Sequence, residues 1–99
     1  MANRSNRFDW ITPTLIEEHK NKLTTEHAAI LTAFAGGIDY GTMAADMNLN
    51  IGTVKSRLNR ARSALRLLVV HPNGKPMWGK HGSLLDENGN RSIFDDVDQ

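Results

Sequence analysis

The stretch that decides the fold runs from Asp39 to Leu68 and reads DYGTMAADMNLNIGTVKSRLNRARSALRLL. It predicts two helices separated by a tight turn. Asp39 is a suitable N-cap for a short helix that continues to Met47. Asn48 follows where a left-handed backbone is needed, a conformation that asparagine accepts best after glycine. Asn50 is then placed to cap a second, longer helix.

The longer helix is amphipathic. Its apolar residues recur every three or four positions and predict one inward stripe, made of Ile51, Val54, Leu58, Ala61, Leu65 and Leu68. Ala44 is small enough for the two helices to cross closely, and apolar residues at fixed offsets are placed to hold them together: Met43, Met47, Leu49 and Val54. An ordinary helical hairpin would show any one of these features; their combination predicts a helix-turn-helix, whose second helix enters the major groove by its N-terminal half.

Charge is strongly segregated along the chain, although the formal net charge is only +1. Residues 1–46 carry four Lys/Arg and six Asp/Glu, and residues 47–85 carry seven Lys/Arg and no acidic residue. Residues 86–99 carry one Arg and five Asp/Glu. A basic block of this length fits either a surface that binds a polyanion or a helix face that is only solvated. Together with the helix-turn-helix pattern, it favours the polyanion-binding surface.

The candidate DNA contacts lie on the longer helix. Backbone N–H groups at its N-terminus can bind a phosphate, and arginine and asparagine are suited to paired hydrogen bonds with guanine and adenine. Arg62 lies further along and is assigned to phosphate, a partner or water, and Arg66 to solvent. The predicted DNA-binding residues are Asn50, Gly52, Thr53, Lys55, Ser56, Arg57, Asn59, Arg60 and Arg62.

Further helices are predicted on the N-terminal side. Thr12 and Pro13 form a plausible helix start, and Thr24 or Thr25 caps a second helix that ends at Gly36-Gly37. The fold class is therefore all-α, with three or four helices around a helix-turn-helix and an irregular or partly disordered C-terminal extension. The predicted divisions are an arm with a short helix (1–22), the helix-turn-helix domain (23–70) and the extension (71–99).

The extension has turn signals but weak periodicity. An irregular hairpin with Asn88-Gly89 as its turn and a mobile tail both fit the pattern. Trp78 and Phe94 are expected to attach this segment to the core or to a partner protein. The acidic end, Asp95 to Gln99, is either a solubilising tail or a segment that folds back on the basic helix.

Several function classes are disfavoured by composition. The chain has no cysteine, which excludes disulfides and thiolate metal sites, and its four histidines lack metal-binding spacing. Serine, histidine and acidic residues occur in no nucleophile context, so neither an enzyme nor a cofactor is predicted. The start has no apolar run typical of a secretory signal, and no segment is long enough to cross a bilayer. A cytoplasmic protein without a membrane partner is expected.

The sequence GTVKSRLNRARSALR, from Gly52 to Arg66, resembles region four of bacterial sigma factors, particularly the extracytoplasmic-function group. Leu23 to Gly37 resembles the preceding helix of that domain, and Ile38-Asp39-Tyr40 with Met43-Ala44 resembles its first motif helix. The likeness covers residues 23–69. The LuxR-type domain shares the Thr-Val-Lys pattern, but Arg57-Leu58 and the Arg-Ala-Arg run favour the sigma relative.

The chain departs from the sigma pattern at three places. Sigma factors usually have an acidic residue near Thr42, glycine where Asn48 stands, and often proline where Ile51 stands. A sigma factor also needs a region two to melt the promoter, and 99 residues leave no room for one. The expectation is a region-four-like domain that stands alone.

The resemblance implies binding to the upstream promoter element or to the RNA polymerase beta-flap. The leading prediction is a sequence-specific transcription regulator of double-stranded DNA, from a phage or mobile element, that dimerises on a palindrome as small regulators often do. Two alternatives stay open: an RNA polymerase-binding module, such as a sigma-like adaptor or antiterminator, and a phage DNA-packaging or plasmid adaptor.

Overall fold

The described part of the chain is mostly helical, with four α-helices and one very short sheet. The computed structural model describes residues 10–80 and 82–95. The helices are α1 (Pro13–His19), α2 (Thr25–Ala35), α3 (Tyr40–Met47) and α4 (Ile51–Val70), with a 3-10 turn at Lys20–Lys22. Strands β1 (Met77–Trp78) and β2 (Leu84–Leu85) pair antiparallel, with Met77 opposite Leu85 and Trp78 opposite Leu84. The predicted all-α fold with an irregular extension is confirmed.

Each helix begins at a capping side chain. Thr12, Thr24, Asp39 and Asn50 each accept a hydrogen bond from a backbone N–H three residues later. These bonds satisfy N–H groups that have no partner within the helix. All four caps agree with the sequence prediction, in which Thr24 was one of two choices, because this contact depends only on local sequence.

The turn between α3 and α4 depends on Asn48. Its backbone is left-handed, with φ 58° and ψ 46°, and its N–H and that of Leu49 donate to the last carbonyls of α3. Among the described residues other than glycine, Asn48 alone has a positive φ. The chain can therefore reverse within three residues and start α4 at once.

We expect Asn48→Ala to lower the free energy of unfolding by about 1 kcal/mol, because a Cβ-bearing residue without a short polar side chain tolerates this conformation poorly. Asn48→Gly should be more stable than Asn48→Ala by about the same amount. Urea unfolding of the two variants and the parent measures both differences. Equal stability of the alanine and glycine variants would contradict the left-handed turn.

The core lies between α4 and the three other helices. α4 contacts α1, α2, α3 and β2 and is the central element. The main apolar cluster comprises Ile11, Ile16, Ile30, Leu31, Met43, Ala44, Val54, Leu58, Ala61 and Leu65. Ala44 is buried in this cluster, and Met47 and Leu49 pack against it. The predicted inward stripe of α4 is confirmed from Val54 to Leu68.

Two positions on α4 were wrongly predicted. Ile51, assigned to the inward stripe, is 46% exposed, and Arg62, assigned to DNA, is only 2% exposed. They lie about 20° apart around the helix axis and about three turns apart along it. The difference in burial therefore depends on position along the helix. Neighbouring elements surround α4 at residues 61–65, all of which are buried, and leave its N-terminal end open.

The extension forms a hairpin, but its main turn is not the predicted one. The strands are joined by a turn in which the Gly79 N–H donates to the Ser83 carbonyl. Asn88 and Gly89 form a second turn, which leads to the bridge between Leu85 and Arg91. Asp95 accepts from the Leu84 N–H and from Arg91, and is therefore bonded within the extension. The remainder of the proposed fold-back segment, 96–99, lies outside the described residues.

Candidate DNA interface

The N-terminal half of α4 presents polar and basic side chains on its open end. Gly52, Lys55, Ser56 and Arg60 are exposed, whereas Thr53 and Asn59 are partly buried. Val54 and Leu58 fix the opposite side of the helix in the core. The described part of α4 contains no acidic residue, so this end of the helix carries positive charge without an internal counter-charge. We call residues 50–60 the basic end of α4.

The first turn of α4 uses the Asn50 side chain as its cap and leaves the space around Gly52 open. Asn50 Oδ1 accepts from the Thr53 backbone N–H at 3.0 Å and from the Thr53 hydroxyl at 2.9 Å. The Asn50 oxygen is thus occupied by the helix itself. An ideal Cβ at Gly52 would meet only Asn50 Oδ1, at 3.7 Å, so packing within the described chain does not require glycine there. The first turn stays open to an external group.

Lys55 lies on the side of the basic end that faces α3. Its Nζ is 5.8 Å from the centroid of the Tyr40 ring, within the range of a cation–π attraction. The ring holds the ammonium group near the start of α3 while the residue remains exposed. Lys55 therefore lies exposed between the first turns of α4 and the start of α3 and stays a candidate for DNA contact.

Arg57 lies on the other side and faces α2. Its Nη1 is 3.8 Å from Glu26 Oε2, and its side chain is 28% exposed. Glu26 itself is 70% exposed, and ion pairs of this kind contribute about 0–1 kcal/mol. A phosphate can therefore compete with Glu26 for Arg57. Arg57 stays a candidate, but it has a protein partner that the sequence did not reveal.

Arg60 contacts the C-terminal extension. An ideal Cβ at Gly82 would lie 2.6 Å from Arg60 Cζ, so the guanidinium group packs directly against this glycine. The Gly82 backbone is left-handed, with φ 84°. The sequence signal for this contact was only the pair of glycines on either side of Lys80 and His81 in the basic stretch.

Arg62 and Arg66 do not belong to the interface. The Arg62 Nη1 donates to Asn59 Oδ1 at 2.7 Å, and burial of Arg62 removes it from the predicted DNA-binding set. The same bond occupies the Asn59 oxygen on the edge of the basic end. Arg66, expected in solvent, is partly buried and lies 5.8 Å from the Trp10 ring centroid.

The two motif helices differ in the charge at their N-termini. Hydrogen bonds from the Thr42 backbone and side chain lower the pKa of Asp39, so the cap of α3 is a carboxylate at neutral pH. The cap of α4 is the neutral amide of Asn50. An anion is repelled at the start of α3 and attracted at the start of α4, where the helix dipole is positive.

The hairpin is fixed to α2 by an aromatic contact. The His27 and Trp78 rings meet edge to face with centroids 5.3 Å apart. Burial lowers the pKa of His27 below its ordinary value of 6.5, and the nearby Arg57 and Arg60 act in the same direction against Glu26. The expectation that Trp78 joins the extension to the helical core is confirmed. Phe94 meets the ring of His71, the residue that follows α4 and begins the extension.

The lowered pKa of His27 predicts a pH dependence of stability. The folded state favours neutral His27, so its contribution is complete above about pH 6.5 and declines as the pH falls below that value. We expect the free energy of unfolding to decrease from pH 7.5 to 5.5, and to decrease less in His27→Gln. Urea unfolding across this pH range measures the difference; identical slopes would contradict the prediction.

Neither a metal cluster nor a membrane span is found in the part of the chain that the structure describes. Residues 10–80 and 82–95 contain no group of three or more His, Cys, Asp or Glu side chains that could hold a metal ion. No helix among them is long and apolar enough to cross a membrane.

The described chain is thus a four-helix domain in which α3 and α4 form a helix-turn-helix with an exposed basic end, followed by a short hairpin. No protein-family model, curated protein or solved structure matches the chain. The likeness to sigma region four therefore stays a prediction that depends on the residues of α2, α3 and α4.

Proposed function

We propose that this protein is a transcription regulator that binds double-stranded DNA, with the basic end of α4 in the major groove. The observation that carries the proposal is the open basic end itself. Elements packed around α4 bury it at residues 61–65, yet leave Gly52, Lys55, Ser56 and Arg60 exposed at the end that follows the left-handed turn. A helix-turn-helix uses that end to contact bases.

The exposed residues of the basic end differ in whether they suit DNA bases or phosphates. Arg60 can form two hydrogen bonds with guanine, and Ser56 can donate to or accept from a base edge. Lys55 acts as a point charge and suits a phosphate. The open first turn around Gly52 suits a second phosphate, because backbone N–H groups point outward at the neutral N-cap. Sequence would thus be read mainly by Ser56 and Arg60.

Selection of bound fragments from genomic DNA tests the proposal. The protein should enrich a defined sequence, and a palindromic site would indicate a dimer, whereas a single half-site would indicate a monomer. Affinity for the enriched duplex should fall with salt, with a contribution of about −2 to the log–log slope from Lys55 and Arg57 if each contacts one phosphate. No enrichment, together with no binding at low salt, would refute the proposal.

A second candidate function, docking on RNA polymerase, is favoured by the opposite end of α4. An apolar groove of about 790 Å³ lies there, lined by residues that include Leu67, Val70, Met77 and Phe94. Ile93 also lines the groove and is 90% exposed. Co-purification with RNA polymerase that is lost in Ile93→Asp but retained in Lys55→Glu would support docking through this groove.

A further inference from the structure

The turn between β1 and β2 lies against the basic end of α4. Gly82 packs on the guanidinium group of Arg60, and the left-handed backbone at Gly82 allows this close approach. Long side chains on a helix extend toward its N-terminus. The Arg60 guanidinium and the hairpin turn therefore lie together next to the last residue of the basic end.

This turn is held in place from both strands. On one side, Trp78 contacts His27 of α2. On the other, Leu84 is fully buried, and its backbone N–H donates to Asp95 at 3.1 Å. The Gly82 N–H donates to the Gly79 carbonyl and closes the turn. The hairpin is thus a fixed part of the domain next to α4.

The charge of the turn matches that of the basic end. Lys80 lies in the turn and is exposed. No acidic residue occurs between positions 47 and 85, so α4 and both strands contribute only positive side-chain charge to this side of the molecule. Glu26, the carboxylate close to Arg57, is already engaged in an ion pair. A polyanion that reaches Arg60 therefore meets Lys80 nearby.

We propose that the β1–β2 turn is a second DNA-binding element, in which Lys80 binds the phosphate backbone and Gly82 holds Arg60 in position for the groove. This inference rests on the proposed DNA-binding function and adds a contact outside the helix-turn-helix. The ligand of Lys80 is a phosphodiester group, which an ammonium binds without sequence preference. The turn thus contributes affinity, while the bases are read by α4.

Lys80→Ala and Lys75→Ala form a matched pair for the first part of the proposal. Both lysines are exposed and belong to the extension, but Lys75 lines the apolar groove at the other end of α4. With the selected duplex, Lys80→Ala should weaken binding several-fold and reduce the log–log salt slope by about 0.9. Lys75→Ala should change neither quantity.

The outcomes separate this inference from the proposed function. If the parent protein binds the duplex and the two lysine variants bind equally well, the turn does not contact DNA and the inference is overturned. Tighter binding by Lys80→Ala would also overturn it, because the turn would then oppose DNA. If the parent protein binds no duplex, the proposed function itself fails.

A glycine pair tests the positioning of Arg60. Gly82 and Gly89 both have left-handed backbones, with φ 84° and 83°, but a Cβ at Gly89 would meet nothing within 4 Å. Alanine at either position imposes similar backbone strain. Gly82→Ala should weaken DNA binding clearly more than Gly89→Ala, with thermal unfolding used to verify that both variants remain folded. Equal effects on affinity would refute the positioning role.

Discussion

Lys55→Glu is expected to lower affinity for the selected duplex on the order of 100-fold, or about 2.7 kcal/mol. Lys55 is exposed on the first turns of α4, and the Tyr40 ring holds its ammonium group near the start of α3. The substitution removes one attractive phosphate contact and places a negative charge against the duplex, and both changes act in the same direction. Fluorescence anisotropy at constant salt measures the effect.

Lys75→Glu is the matched control for this prediction. It makes the same change in net charge on an exposed lysine, but at the groove end of the molecule. Its affinity should stay within about threefold of the parent, because charges separated by more than about 10 Å are largely screened at 0.1 M salt. If both substitutions reduced affinity equally, binding would reflect overall charge instead of a defined surface on α4.

Leu58→Ala is expected to lower the free energy of unfolding by about 2–5 kcal/mol. Leu58 is 1% exposed and lies in the main core cluster between α4 and its neighbours. Truncation removes buried apolar contacts and leaves a cavity. Because small domains have only about 5–15 kcal/mol of stability, this loss would unfold a substantial fraction of the protein on heating. Urea unfolding followed by circular dichroism measures it.

Ile51→Ala provides the internal comparison on the same helix. Ile51 is about half exposed, so its truncation should change the stability by less than about 1 kcal/mol. A loss as large as that of Leu58→Ala would mean that Ile51 packs in the core, as the sequence pattern suggested. The comparison therefore also tests how far along α4 the neighbouring elements cover the helix.

Much of the helical frame was predictable because it is specified locally. A cap such as Asp39 bonds to a backbone group three residues away, and the left-handed turn needs a residue such as Asn48 whatever surrounds it. The spacing of Val54, Leu58 and Leu65 likewise reports which side of α4 is buried. These features depend on neighbours in the sequence, which can be read directly.

The candidate site was predicted less completely because burial depends on elements distant in sequence. Helical periodicity shows the direction in which Arg62 points, but it cannot show that other elements surround α4 at that position along the helix. The contacts of Arg57 with Glu26 and of Arg60 with Gly82 join segments that no local pattern connects. The two-residue strands were equally hard to foresee, because they are too short to give a periodic signal.

The central claim is that DNA meets the N-terminal half of α4. The most direct measurement is the change in amide chemical shifts of the labelled protein on titration with the selected duplex. We predict that the largest changes fall in residues 50–60, with further changes at Lys80 and Gly82. Changes confined to Leu67, Val70 and the groove that they line, or no changes at saturating duplex, would contradict the account.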